Sequence, residues 1–197
     1  VAGTRTILTA DSGSGRTSRD RETIARTLIG MGRNPNVASV IVHTQGVGAG
    51  YPELKPARLA EEIARSGKRV EILDVAREGS TLRALEKGVQ LAREMVLDAS
   101  RLRRQTFDLS HLSIGVKCGH SDTTSGIAGN PVIGNLFDRI IAAGGTAFFG
   151  ETTEIIGAEH VLARRAINDE VSRKILEAAD EIETIAKATG EDIRTVN

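Results

Sequence analysis

The chain has 197 residues, of which 40% are hydrophobic and 26% charged, an ordinary globular composition that needs no disulfide staple at this length. Lys and Arg together number 26, as do Asp and Glu, so the formal net charge is zero, which argues against a nucleic-acid binder. Aromatic residues make up 3% and Trp is absent, so base-stacking and sugar-stacking platforms are not expected.

Strand and helix patterns alternate along the whole chain. A first strand is predicted over Arg5–Thr9, followed by a polar glycine-containing loop from Asp11 to Thr17. Ser18 is a plausible N-cap for a helix carrying Ile24, Leu28 and Met31 at helical spacing. A second strand runs from Val37 to His43. Pro56 suits position N1 of the next helix, and Gly67 ends it. The third strand is Arg69–Val75, after which Ser80 caps a long helix with Leu82, Leu85, Val89, Ala92 and Val96 on one stripe. Leu112–Cys118 is the fourth strand, Asn130-Pro131 opens a helix, and Gly144-Gly145 stops it. Thr146–Phe149 is the fifth strand, and a last helix begins near Asn168.

Alternating units of this length imply a single α/β domain. The expected architecture is a Rossmann-like three-layer domain, with a mainly parallel five-stranded sheet and helices on both faces. In the strand order 3-2-1-4-5, strands one and four lie side by side where the winding reverses. Ligands bind there, beyond the carboxyl ends of the strands. The loops at that crevice would be Asp11–Thr17 and Gly119–Asn130.

The only cysteine, Cys118, cannot form an internal disulfide, which suits a reducing compartment and a cytoplasmic protein. No apolar run approaches the ~20 residues needed to cross a bilayer, so no membrane partner is expected.

Asp11-Ser12-Gly13-Ser14-Gly15-Arg16-Thr17 follows a strand and precedes a helix, so Asp11, Arg16 and the helix amides could hold a small anion. A plain strand-to-helix turn explains the same residues. The third glycine of a dinucleotide fingerprint is missing, His43 stands where the ribose-binding acid would be, and no Gly-Lys-Ser/Thr occurs. A nucleotide cofactor is therefore not expected.

Lys117-Cys118-Gly119-His120-Ser121-Asp122-Thr123-Thr124-Ser125-Gly126 places a thiol, an imidazole and a carboxylate on alternate residues. If the strand conformation persists, Cys118, His120 and Asp122 point to one side. Imidazole and carboxylate suit Fe²⁺, Mn²⁺ or Zn²⁺, whereas a hard ion such as Mg²⁺ leaves the thiol out. Singly, Cys118 reads as a small buried hydrophobe and His120 as a loop residue. Together with the hydroxyls of Ser121, Thr124 and Ser125 they point to a site. A helix N-terminus at Asn130 opposite those hydroxyls matches a polyhydroxylated carboxylate. A third cluster, Glu151, Thr152, Glu154, Glu159 and His160, follows strand five. Glu151 or His160 could act as a base or complete a metal shell. Helix capping is the plainer account of Glu159 and His160, which would then only open a short helix through Ala166.

The segment from Lys117 to Asp122 resembles the altronate dehydratase/galactarate dehydratase family of sugar-acid lyases, which includes sulfolactate sulfo-lyase. The similarity continues through Ser125-Gly126-Ile127, Asn130-Pro131, Ala143-Gly144-Gly145-Thr146, Glu151-Thr152-Thr153-Glu154-Ile155, Gly157-Ala158-Glu159-His160 and Arg164-Arg165-Ala166. His120 stands where the family pattern has a second glycine.

The resemblance implies loss of water from a 2,3-dihydroxy acid to give a 2-keto-3-deoxy acid, with a divalent metal, typically Fe²⁺, as cofactor. It implies that Cys118, His120, Asp122 and Glu151 are metal ligands and that Asp122 and His120 hold the metal or its water. Proton transfer falls to Lys117 or His160. Ser121, Thr124, Ser125 and Asn130 bind substrate, and Asp11 and Arg16 join them only through the anion-site reading of their loop, which does not match the family pattern. The partners it implies are a small-molecule sugar acid and either further domains or a small β-rich subunit of the same enzyme, and a homo-oligomer is left open. The chain is then a partial segment of a longer lyase, inactive alone. The competing reading is a non-catalytic domain that binds small anions, and a third is a large-subunit segment of a sulfo-lyase.

Overall fold

The computed structural model describes residues 1–7, 16–46, 51–120 and 122–195. Contacts divide the chain, read above as one domain, into two compact units, Val1–Arg104 and Gln105–Asn197.

The first unit contains α1 (Ser18–Arg33), β1 (Ser39–Thr44), α2 (Pro56–Ala64), β2 (Arg69–Asp74), the short α3 (Val75–Glu78) and α4 (Thr81–Ser100). Each start has a chemical cause. The Thr17 hydroxyl accepts from the Asp20 amide while the Asp20 carboxylate accepts from the Thr17 amide, a reciprocal box that satisfies two otherwise orphaned donors. The cap is thus Thr17, one residue earlier than Ser18. Pro56 occupies the first turn of α2, where its missing N–H is no loss. Gly67 follows α2 with φ +80°, a conformation that side chains with a Cβ resist. Ser80 caps α4 by accepting from the Arg83 amide. β1 and β2 pair in parallel from Ser39↔Arg69 to Thr44↔Asp74. Ala25, Leu59, Ile63, Leu73, Ala84 and Met95 are buried between these elements.

The second unit contains β3 (Ser113–Val116), a π-helical turn (Ser125–Gly129), α5 (Asn130–Ala142), β4 (Thr146–Phe149), α6 (Glu159–Ala163) and α7 (Asp169–Ala188). β3 and β4 pair in parallel from Ser113↔Thr146 to Val116↔Phe149. Asn168 caps α7 by accepting from the Val171 amide. Ile140, Ile156, Ala163 and Ala179 are buried.

Among the described residues the five-stranded Rossmann-like sheet is not formed. The described residues contain two separate two-stranded parallel sheets, β1-β2 and β3-β4. Arg5–Ile7 carry no strand, and Leu8 and Thr9 lie outside the described residues. The fourth strand stops at Val116 rather than Cys118. Each pair is the local product of one strand–helix–strand unit, which alternation captures. Joining the pairs into one sheet requires long-range pairing, which alternation does not encode.

The turn from α5 into β4 is set by two glycines. Gly144 adopts φ +82°. A Cβ on Gly145 would lie 2.7 Å from the Leu109 carbonyl oxygen and 2.9 Å from that of Leu112. Backbone cannot yield as a side-chain tip can, so Gly145→Ala is expected to destabilise the second unit by about 1–3 kcal/mol. In α1, a Cβ on Gly30 would meet nothing within 4 Å, and Gly30→Ala is expected to stabilise by about 0.5–1 kcal/mol. Equilibrium urea unfolding of the two variants checks both signs.

Candidate active site

Parallel pairing places the carboxyl ends of β3 and β4 on the same edge of their sheet. One residue beyond β3 stands Lys117, and two beyond β4 stands Glu151. Their side chains meet, with Lys117 Nζ 2.5 Å from Glu151 Oε2. The same ammonium donates to the Cys118 carbonyl at 3.2 Å. The hydrogen bond and the charge of Glu151 hold the Lys117 pKa above its ordinary value, against a smaller opposing effect of burial. Such a lysine stays an ammonium at neutral pH. It can neutralise developing negative charge, but it is a poor proton acceptor.

Glu151 is the one non-glycine among the described residues with positive φ, at φ 68° and ψ 86°. A left-handed backbone costs an ordinary residue on the order of 1–2 kcal/mol, and such strain clusters at functional positions. Phe149, Gly150, Glu151 and Thr152 face Val171 and Ile175 of α7 across an open groove of about 280 Å³.

The loop after β3 is organised by Asp122. Its Oδ1 accepts from the Thr124 hydroxyl at 2.6 Å, the Ser125 amide at 3.0 Å and the Ser125 hydroxyl at 3.4 Å. The Ser125 hydroxyl also approaches the His120 carbonyl, at 3.1 Å. Asp122 thereby caps the helical turn that leads into α5. The Thr124 hydroxyl, then the Ser125 amide, pull its pKa below the ordinary carboxylate value. Asn130 is exposed, but its N–H already donates to the Ser125 carbonyl. The N-terminal end of this helix therefore lies at Asp122–Ser125 rather than at Asn130, and Asp122 already takes the Ser125 amide there.

The remaining expected site residues are dispersed. Cys118 and His120 are exposed. Extended backbone ends at Val116 and the chain bends at Gly119, so the alternation that was to align Cys118, His120 and Asp122 is broken. Among the described residues, no three His, Cys, Asp or Glu side chains gather to hold one metal ion. His160 is exposed at the start of α6, and no hydrogen bond among the described residues joins it to the Lys117–Asp122 loop. Its neighbour Glu159 accepts from the Gly157 amide at 2.5 Å and from Arg194 at 3.1 Å, as a capping and clamping residue would. Arg16 lies in the first unit, where its carbonyl accepts from Arg21 at 2.5 Å. Asp11 and Ser121 lie outside the described residues.

Sequence reasoning named Lys117 and Glu151 but did not pair them. Both stand within two residues of the carboxyl ends of adjacent parallel strands, which brings them to one edge, but no spacing in the sequence says that β3 and β4 pair. Reasoning also missed Arg194, which ties Glu159 to the buried Glu183 of α7. Bonds from Arg194, then Lys187, hold the Glu183 carboxyl down at about 2.

Residues 3–100 match the family model described as D-galactarate dehydratase/altronate hydrolase, second domain. Residues 109–197 match the model described as D-galactarate/altronate dehydratase, C-terminal. The chain belongs to the galactarate/altronate dehydratase family. Its similarity to named family members is substantial. It is 42% identical over 149 residues to (2R)-sulfolactate sulfo-lyase subunit beta of Chromohalobacter salexigens, covering 76% of the chain and 36% of that protein. It is 36% identical over 172 residues to altronate dehydratase of Bacillus subtilis, covering 87% and 33%. It is 30% identical over 158 residues to galactarate dehydratase (L-threo-forming) of Escherichia coli, covering 77% and 30%. The chain thus spans about a third of the length of the curated relatives it matches. No solved structure matches it. The two family models divide the chain where its two compact units divide. No helix among the described residues is long and apolar enough to cross a membrane.

A carboxylate with a depressed pKa contributes stability above its ordinary value of 3.8 and loses that contribution as the pH falls through its lower folded value. Asp122→Ala should therefore lower the melting temperature of the second unit near neutral pH, by more than it does near pH 3. Asp122→Asn, whose amide oxygen can still accept, should recover most of the loss. Thermal melts at the two pH values check this.

Proposed function

We propose that this segment carries catalytic residues of a lyase that acts on a small 2-hydroxy acid bearing a leaving group at C3. The observation that carries the reading is the Lys117–Glu151 pair at the carboxyl edge of β3 and β4, with Glu151 on strained backbone. Family membership supplies the reaction class. The first reading of the substrate is a sugar acid of the altronate or galactarate type, which loses water to give a 2-keto-3-deoxy acid.

The proton alpha to a carboxylate is weakly acidic, and its removal places a second negative charge on that carboxylate. A fixed cation at the carboxylate is therefore the largest single requirement. Lys117, held as an ammonium, meets it. Glu151 takes the C2 proton, and the C2–H electron pair is delocalised onto the substrate carboxylate; it then returns to form the C2–C3 double bond as the C3–O bond breaks. The departing hydroxide receives the same proton from the Glu151 carboxyl and leaves as water. The enol then tautomerises to the 2-keto acid, and Glu151 is again a carboxylate. One carboxyl group serving both steps on one face of the substrate describes a syn elimination. A divalent metal, which the family resemblance implies, would add Lewis-acid stabilisation of the carboxylate. The ligand-type residues described in this chain do not gather for one, so every step is derived from Lys117 and Glu151.

The identity to the sulfo-lyase subunit favours a second reading, with sulfite as the leaving group. The alpha-proton step is the same, and sulfite leaves without needing a proton.

The test uses the intact protein with a panel of altronate, galactarate and (2R)-sulfolactate, following 2-keto acid and sulfite. Lys117→Met is expected to lower turnover by about 10²–10³-fold, and Glu151→Gln by about 10²–10⁴-fold. Full turnover in both variants would remove the pair from the site.

A further inference from the structure

In the resting geometry the cation and the base proposed for turnover are paired with each other. Glu151 is a weaker base while its Oε2 is paired with Lys117, and a substrate carboxylate that docks on Lys117 competes with Glu151 for the same ammonium. The separation of 2.5 Å shows that each holds the other. Both side chains are partly open to solvent, Lys117 at 58% and Glu151 at 36%, so an incoming anion can reach the ammonium. Glu151 is held on a left-handed backbone that a non-glycine residue adopts only under constraint. The ion pair is one such constraint, and it is the one a carboxylate ligand can remove.

We infer that the Lys117–Glu151 pair is a latch opened by exchange: the carboxylate of a 2-hydroxy acid displaces Glu151 from Lys117, and that displacement frees Glu151 to act as the base. The inference rests on the proposed function and adds its order of events. Binding of the correct acid is then coupled to arming the base, so Glu151 remains satisfied until a carboxylate arrives. The cost is a weakened apparent affinity, because the ligand competes with an internal carboxylate.

That competition gives a readout opposite in sign to a loss of contacts. The probe is lactate, which carries the 2-hydroxy carboxylate but no C3 leaving group. Its dissociation constant is measured directly on the intact protein and its variants. Glu151→Gln keeps the shape of the side chain and removes the competitor, so lactate should bind about 2- to 5-fold more tightly, as expected for release of an exposed ion pair. Lys117→Met should weaken lactate binding by about tenfold or more, the scale of a lost charged hydrogen bond. Glu154→Gln is the control. Glu154 contributes to the charge felt by Lys117 without bonding it, so its removal should leave the constant within about 1.5-fold, the low end of an exposed charge interaction.

If Glu151→Gln abolishes turnover and leaves lactate binding unchanged or weaker, the latch is refuted and the proposed function stands. If Glu154→Gln tightens binding as much as Glu151→Gln, general charge explains the effect and the latch is again refuted. If Lys117→Met changes neither binding nor turnover, the proposed function itself falls.

Discussion

Parallel pairing of β3 with β4 is the constraint on which the candidate site depends. Two parallel strands end on the same edge, so the chain leaves both at one place. Lys117 and Glu151 are distant in sequence, and only this pairing makes them neighbours. An antiparallel pair of the same strands would send their exits to opposite edges. The crossover helix α5 enforces the parallel sense, and the Gly144-Gly145 turn returns the chain into β4 with no room for a side chain.

Local chemistry made much of the fold readable. Pro56, Gly67, Ser80, Gly144 and Asn168 act through short-range sterics or hydrogen bonds, and each marks a boundary close to where it was expected. The sheet was misread because its membership is not local. The four described strands pair only within their own units, and nothing in the strand pattern of Arg5–Thr9 could show whether it would join them.

The candidate site was legible by residue type more than by role. Asp122 looks like a metal ligand when counted with Cys118 and His120. It also sits three residues before Ser125, the spacing of a helix cap, and the cap is what forms. Thr124 and Ser125 were expected to hold substrate hydroxyls, but their hydrogens are directed to Asp122 and His120. Lys117 was read as a proton-transfer group on type alone. Glu151, its partner across the sheet, holds its pKa above the ordinary lysine value and makes it a poorer proton acceptor still, and that contact depends on the fold.

The shortness of the β3-β4 ladder has a further effect. Four residues on each side give few backbone bonds, and Phe148 and Phe149 remain 57% and 54% exposed. Local opening free energy scales with such contacts, so this edge lies toward the low end of the molecule's stability. The ladder can then part on warming while α5 and α7 are still intact. The Lys117–Glu151 contact would then be lost before the helices melt, and a circular dichroism trace, dominated by helix, would overstate the temperature up to which that contact persists.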